Sequence, residues 1–370
     1  MPPKISTFIP VYRESELLEP LLNQLLGDSY GLKEIFVIID EPTDRSLDTI
    51  KKFETSVNFI LNGDRKGKVN VLNEAVEKSD GEILLFLDSD VFIPSNQGSF
   101  LQTIYEEMEN AEIIEVKKKI IRDSLLARSV HYDYLSFNSS NLMFSRMLGK
   151  CLGLNGAAFA IKRETFDYLG GFRRAISEDL DIGTRAFIKE CKFKFVDRAE
   201  VYIKVSPSWR QWFNQRKRWG VGAGLWFRDH FRDLLSSVRK YPKVLLPTML
   251  LILPSLPLFI INMLIPEELY PKFLSILLLV LATKGASFFY PPLLLASSVT
   301  FLRNAVTAIL SFGAYLFTFY SFARKLSCTF EPLSFAFFYF VYSPIWLFIL
   351  VLSLIKVYLK SGSIDVNWKV

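Results

Sequence analysis

Two carboxylates close an apolar run in Phe86-Leu87-Asp88-Ser89-Asp90. A hard divalent cation takes oxygen ligands and commonly keeps substrate phosphates among them, so such a pair can hold an ion against a diphosphate. The same pattern also serves turns and helix caps, and alone it is a weak signal. A second acidic cluster, Ser177-Glu178-Asp179-Leu180-Asp181, opens an amphipathic segment running to Glu190. A capping serine followed by acids suits the first turn of a helix and its dipole. That accounts for Ser177 and leaves room for one carboxylate as a general base in a cleft. A third cluster, Gln215-Arg216-Lys217-Arg218-Trp219, lies in a strip holding four of the six tryptophans: Trp209, Trp212, Trp219 and Trp226. Most of that strip reads as an interfacial helix, with aromatics at headgroup depth and basic side chains toward phosphates. A sugar-stacking tryptophan and a diphosphate-binding arginine fit within it.

These clusters need a scaffold. Ile5–Pro10, Glu34–Asp40, Val57–Leu61 and Glu82–Leu87 read as buried strands, with helix-like stretches near Ser15–Leu26, Asp44–Phe53 and Lys68–Lys78 between them. The alternation predicts an α/β domain with a mostly parallel sheet and helices on both faces. Ligands of such sheets bind beyond the carboxyl ends of the strands, here Pro10–Glu14, Asp40–Asp44 and Asp88–Asp90. No GxGxxG follows the first strand and no GxxxxGK[ST] occurs, which argues against a dinucleotide oxidoreductase and a P-loop ATPase.

Charge divides the 370 residues into three parts. Residues 1–206 carry 27 Lys/Arg against 32 Asp/Glu, residues 207–243 carry 9 against 2, and residues 244–370 carry 8 against 4. Net positive charge is concentrated in a strip beside an apolar tail, so a nucleic-acid partner is not expected. Two histidines and three scattered cysteines without CxxC spacing argue against a His-based triad, a zinc site or a disulfide framework.

The tail predicts a membrane domain of about four spans. Val244–Ile265 is 22 residues without a charge, enough to cross a hydrocarbon core of about 30 Å. Asn304–Ala323 and Pro332–Ile355 are further uncharged runs, and Phe273–Leu302 is apolar apart from Lys284, with Tyr290-Pro291-Pro292 breaking any regular helix. No charged-then-apolar leader opens the chain. Arg239, Lys240 and Lys243 immediately precede the first run, which predicts an integral, multi-pass membrane protein with residues 1–243 in the cytoplasm.

Taken together, the residues resemble the family 2 glycosyltransferases, particularly the membrane-integrated branch of cellulose, chitin and hyaluronan synthases and ceramide glucosyltransferase. Six pieces occur in order across residues 5–219: Ile9 to Glu14; Lys66-Gly67-Lys68 with Leu72-Asn73-Glu74-Ala75; Gly81-Glu82 through Asp90; Asn155-Gly156-Ala157-Ala158 with Gly170-Gly171-Phe172; Ser177-Glu178-Asp179; and Gln215 through Trp219, resembling the family's QxxRW. The family usually has two adjacent aspartates and a glycine after the second strand. This chain departs from that with Ile39-Asp40-Glu41-Pro42, where Asp40 takes the second of those positions.

The resemblance implies a GT-A-type, Rossmann-like catalytic domain over residues 1–206, an interfacial segment over 207–243 and an all-α transmembrane domain over 244–370. It implies an inverting glycosyltransferase dependent on Mg²⁺ or Mn²⁺. Pro10, Tyr12, Glu14 and Asp40 would line the nucleotide pocket, Lys68 would pair with the diphosphate, Asp88 would contact the donor, and Asp90 would ligate the metal. Asp179, expected to be ionised at rest, would take the proton of the acceptor hydroxyl. Glu178, Gln215, Arg218 and Trp219 would serve the acceptor and diphosphate side. A UDP-sugar is favoured over a GDP-sugar as donor, and a lipid-linked acceptor is preferred for so small a membrane bundle. A small processive polysaccharide synthase, which allows a homo-oligomer, is the alternative. A transporter or channel with a degenerate cytosolic domain is the reading from another class, and a nucleotidyltransferase leaves Gln215–Trp219 unexplained.

Overall fold

The computed structural model describes residues 2–252, 276, 280 and 292–359. The four expected strands are β1 (Ile5–Tyr12), β2 (Lys33–Asp40), β3 (Asn58–Asn62) and β4 (Ile83–Leu87). The helices between them are α1 (Leu18–Gly27), α2 (Asp44–Phe53) and α3 (Lys68–Glu77). All four strands run parallel in the order β3-β2-β1-β4. Every residue of β4 is buried, as a strand covered on both faces requires. Phe36, Phe8, Phe86 and Phe159 form a ladder across neighbouring strands, with successive ring centroids 5.0–5.5 Å apart.

Beyond β4 the sheet is mixed rather than parallel. The chain continues through β5 (Val91–Phe92), α4 (Phe100–Met108), β6 (Ile113–Ile120), α5 (Leu125–Leu148), β7 (Ala158–Lys162), α6 (Arg163–Leu169), α7 (Glu178–Ile188) and β8 (Phe193–Ile203). The order extends as β4-β7-β6-β8-β5, and β7 runs antiparallel to both β4 and β6. This reversal brings the start of β7 beside the carboxyl end of β4, where the N–H of Asp88 donates to the Ala157 carbonyl at 3.0 Å.

The basic strip forms one long helix, α8 (Trp209–Lys240), capped by Ser208. It is followed by α9 (Leu245–Ile252), α10 (Pro292–Lys325) and the apolar α11 (Pro332–Leu359), which contains a π-helical turn at Phe338–Tyr342. Packing of α8 on α11 depends on small residues: a Cβ at Gly220 would lie 2.6 Å from Ser353 Oγ. Among the described residues, α11 alone is long and apolar enough to cross a membrane. Of the four expected spans, Pro332–Ile355 lies within α11 and Asn304–Ala323 within α10. Most of Val244–Ile265 and of Phe273–Leu302, with Lys284, lies outside the described residues.

Candidate active site

The carboxyl ends of β1, β2 and β4 open onto one cavity of about 870 Å³, whose far wall is built by α5, α7, α8 and α11. Pro10, Tyr12, Asp40, Lys68, Asp88, Asp90, Glu178, Asp179, Gln215, Arg218 and Trp219 all line it. These residues span more than two hundred positions of sequence, and the fold brings them together. Glu14 alone of the expected residues does not line the cavity: its carboxylate accepts from Thr43 Oγ1 at 2.8 Å, at the start of α2.

At the strand ends, Tyr12 lies opposite Asp40 in register. The Arg65 guanidinium sits over the Tyr12 ring, 3.8 Å from its centroid. Asp40 is buried and its oxygens are already engaged. One accepts from Asn62 Nδ2 at 2.9 Å, and the other from the backbone N–H groups of Lys66 and Gly67 at 3.1 and 3.0 Å. It thereby ties down the loop that leads into α3. Gly67 takes φ of +86° at the N-terminus of that helix, a conformation available to glycine without strain.

Lys68, the first residue of α3, reaches across the cavity floor. Its Nζ is 2.8 Å from Asp88 Oδ1 and 3.0 Å from Glu178 Oε1. Enclosure works against the ammonium, but Asp88 and Glu178 outweigh it and hold Lys68 above its ordinary range. Asp90 opens onto the cavity and has no side-chain partner among the described residues. The cavity walls around it, together with the charge of Asp88, push its carboxyl up to about 7. A carboxyl that ionises with this difficulty favours a cation as neighbour. No cluster of three or more metal-binding side chains exists among the described residues. A metal here would therefore have one or two carboxylates from the protein and complete its shell with diphosphate and water, as Mg²⁺ commonly does.

Asp179 stands in the first turn of α7, with Gly156 N–H donating to Oδ2 and Leu180 N–H to Oδ1, each at 2.8 Å. Burial, then the charge of neighbouring Glu178, push its carboxyl up to about 7, while Lys68 pulls the other way. Against the expectation of a carboxylate ionised at rest, these surroundings favour the protonated form of Asp179. The helix beneath it is locked to α8, where His230 Nε2 meets Asp181 Oδ1 at 2.9 Å and Trp226 Nε1 donates to Thr184 Oγ1 at 2.8 Å.

On α8, Gln215, Arg216, Arg218 and Trp219 all border the cavity, and Arg216 is 1% exposed. Arg216 Nη2 donates to Asp133 Oδ2 at 2.7 Å and to the Tyr342 hydroxyl at 2.8 Å. Trp212, expected to seat the helix in an interface, is instead buried at 2% exposure and donates Nε1–H to Tyr342 at 2.9 Å. Trp209 remains exposed. The roles of Arg216, Asp133 and Tyr342 had no mark in the sequence: Arg216 is one basic residue among several, and its partners lie on α5 and α11. The place of Asn155-Gly156 beside Asp179 was legible only as part of a motif.

Residues 6–170 match the Glycosyl transferase family 2 domain. A probable glycosyltransferase of Bacillus subtilis (strain 168), YdaM, is 25% identical over 231 residues, 60% of this chain and 55% of that protein. A poly-beta-1,6-N-acetyl-D-glucosamine synthase of Staphylococcus epidermidis is 22% identical over 239 residues, 64% of this chain and 57% of that protein. The chain therefore spans a little over half the length of these curated relatives. In three dimensions it resembles the mannosyltransferase PcManGT of Pyrobaculum calidifontis, solved in complex with GDP-Man and Mn²⁺. The TM-score is 0.55 at 18% identity, over 97% of this chain and 88% of that one. The expected GT-A-type fold is present, and residues 6–170 carry the match to the family 2 glycosyltransferases that the sequence resembles.

Proposed function

We propose that this chain moves a sugar, with inversion, from a nucleotide-diphosphate donor to a lipid-linked acceptor at a membrane. The observation that carries this reading is the single cavity shared by two kinds of wall. Tyr12, Lys68, Asp88 and Asp179 form a polar side suited to a nucleotide sugar, whereas Trp219, Trp346, Leu347 and Leu350 form an apolar side reaching α11. A sugar carried on a lipid presents a polar end and an apolar body to such a site.

In this reading Tyr12 and Pro10 border the nucleoside, and Asp40 keeps the Lys66–Lys68 loop in position for it. Lys68 and Arg218 pair with the diphosphate, and Asp88 contacts the donor. Asp90 would hold Mg²⁺ or Mn²⁺, and that ion would supply positive charge against the leaving diphosphate. Asp179 accepts the proton of the acceptor hydroxyl while that oxygen bonds to the anomeric carbon. The bond from that carbon to the diphosphate oxygen breaks on the opposite face, and the diphosphate departs with the electron pair. Trp219 stacks on the acceptor sugar, with Glu178 and Gln215 supporting the diphosphate and acceptor sides. UDP-sugars are the first donors to test and GDP-Man, the ligand of PcManGT, the next.

The basic residues before residue 244 and the apolar α11 support an integral, multi-pass protein with its catalytic domain in the cytoplasm. A processive polysaccharide synthase is the second reading, favoured by the Staphylococcus epidermidis relative. Membranes containing the chain, incubated with labelled UDP- and GDP-sugars, extracted with organic solvent and sized in the aqueous phase, separate the two. Label in the organic phase supports the lipid acceptor; an aqueous polymer supports the synthase. Turnover of none of these donors rejects both.

A further inference from the structure

A buried ion pair stands behind the turn that meets Asp179. Glu115 on β6 is 0% exposed and Lys118 is 1% exposed, with Lys118 Nζ 2.8 Å from Glu115 Oε1. The second oxygen of Glu115 accepts from Asn141 Nδ2 at 2.9 Å and from the backbone N–H of Asn155 at 3.0 Å. Asn155 begins the turn whose next N–H, from Gly156, donates to Asp179 Oδ2. The same turn ends in Ala157, whose carbonyl accepts from the N–H of Asp88. Three consecutive residues thus connect one buried carboxylate to both acidic motifs.

Stability does not account for this pair. Taking two ions out of water is costly, and replacing such pairs by apolar residues of similar volume is often neutral or stabilising. Nor is it needed to dock α5 on β6, because Asn138 already bonds the backbone of Lys118 through both its Oδ1 and Nδ2 atoms. What Glu115 contributes is a fixed height for the turn. Leu180 N–H belongs to the same helix as Asp179 and moves with it, whereas Gly156 N–H comes from another element and constrains the carboxylate independently. The fit leaves no slack: a Cβ at Gly156 would lie 3.1 Å from Asp179 Oδ2 and 3.4 Å from its Cβ.

We propose that Glu115 and Lys118 are positioning residues, which hold the Asn155–Ala157 turn so that Gly156 orients the Asp179 carboxylate toward the acceptor hydroxyl. This inference rests on the reading of Asp179 as general base. Misplacement of a reacting group by about 1 Å can cost about a hundredfold in rate, so the loss belongs in turnover and not in the grip on the donor.

The test uses the full chain in detergent or nanodiscs with Mn²⁺ and UDP-GlcNAc, UDP-Glc and GDP-Man, measuring release of nucleoside diphosphate and donor affinity. The double variant Glu115→Leu with Lys118→Met leaves no uncompensated charge and should fold with a Tm near that of the parent. Its kcat should fall at least tenfold while the donor Kd stays within twofold. Gly156→Ala, which leaves the ion pair intact, should show the same split by displacing the carboxylate directly. Combining the three substitutions should lower kcat no further than the stronger of the two variants, because both act through one carboxylate. Parental kcat in the folded Glu115→Leu/Lys118→Met protein, donor affinity falling in step with kcat, or multiplied losses on combination would each overturn the positioning role while leaving the glycosyltransferase reading intact. A parent protein that turns over no nucleotide sugar overturns both.

Discussion

The guanidinium carbon of Arg216 lies 4.2 Å from the centroid of the Trp219 ring. The charge is out of water and held on its other side by Asp133 and the Tyr342 hydroxyl, so the cation–π contact is of the desolvated, stronger kind. Trp219 is therefore presented to the cavity by a residue whose own anchor is on α11. A π-helical turn in that helix sets the Tyr342 hydroxyl in place, the kind of irregularity that recurs at functional sites.

Tyr342→Phe tests this linkage. It keeps the ring and removes the hydroxyl that accepts from Trp212 and Arg216, a cost of about 1–3 kcal/mol for a buried donor left unpaired. Transfer to acceptor should fall by about tenfold, with hydrolysis of the donor by water reduced less, since water needs no stacking platform. Equal loss of both activities would show that Trp219 does not depend on this anchor.

The tryptophans of α8 should separate sharply. Trp212→Ala removes a buried ring and should destabilise by about 3–5 kcal/mol, visible as a lower Tm. Trp209→Ala, at an exposed position, should leave both Tm and turnover close to the parent. Trp219→Ala should keep Tm and donor hydrolysis while losing transfer.

Asp179→Asn should abolish transfer and leave donor affinity within about threefold, as expected for a group that acts in the chemical step. The pH dependence has a definite sign. The base works ionised, and burial with the charge of Glu178 pushes its carboxyl up to about 7. At saturating Mn²⁺, which keeps Asp90 ionised, kcat/KM should rise with pH through about 7 and stand about tenfold below its plateau at pH 6. A profile flat from pH 5.5 to 8 would show that Asp179 does not limit the reaction as a base.

Metal binding should titrate as well. Asp90 must lose its proton to act as a ligand, and its carboxyl is raised to about 7. Mn²⁺ affinity, measured calorimetrically with a nucleoside diphosphate present, should weaken as pH falls below 7, with proton release from the site on binding visible in buffers of different ionisation enthalpy. Asp90→Ala should remove the metal dependence of nucleotide binding. Equal nucleotide affinity in EDTA and in Mn²⁺ would reject this assignment.

Asp40 is expected to act through its loop. Asp40→Ala deprives the Lys66 and Gly67 N–H groups of their acceptor, so hydrogen exchange across residues 63–68 should accelerate and affinity for UDP and GDP should fall together. A change in the ratio of the two affinities would show instead that Asp40 reads the base.

By itself, the sequence determined the parallel half of the sheet and the loops that matter on it. Apolar runs such as Glu82–Leu87 leave little choice between strand and solvent, and acidic pairs at their ends mark where the cavity opens. Motif order also foretold which distant segments meet, down to Asp179 and Trp219. What local sequence cannot express is which polar groups will share a buried space. Glu115 and Lys118 carry no motif in the sequence, Trp212 looks like an interfacial aromatic, and Asp40 resembles a ligand-binding carboxylate. Each acquires its role from a partner far away in the chain: Asn155 for Glu115, Tyr342 for Trp212, the Lys66–Gly67 backbone for Asp40. Tertiary structure alone decided these because burial removes water as the competing partner, and a polar group then takes whatever neighbour the packing of whole elements supplies.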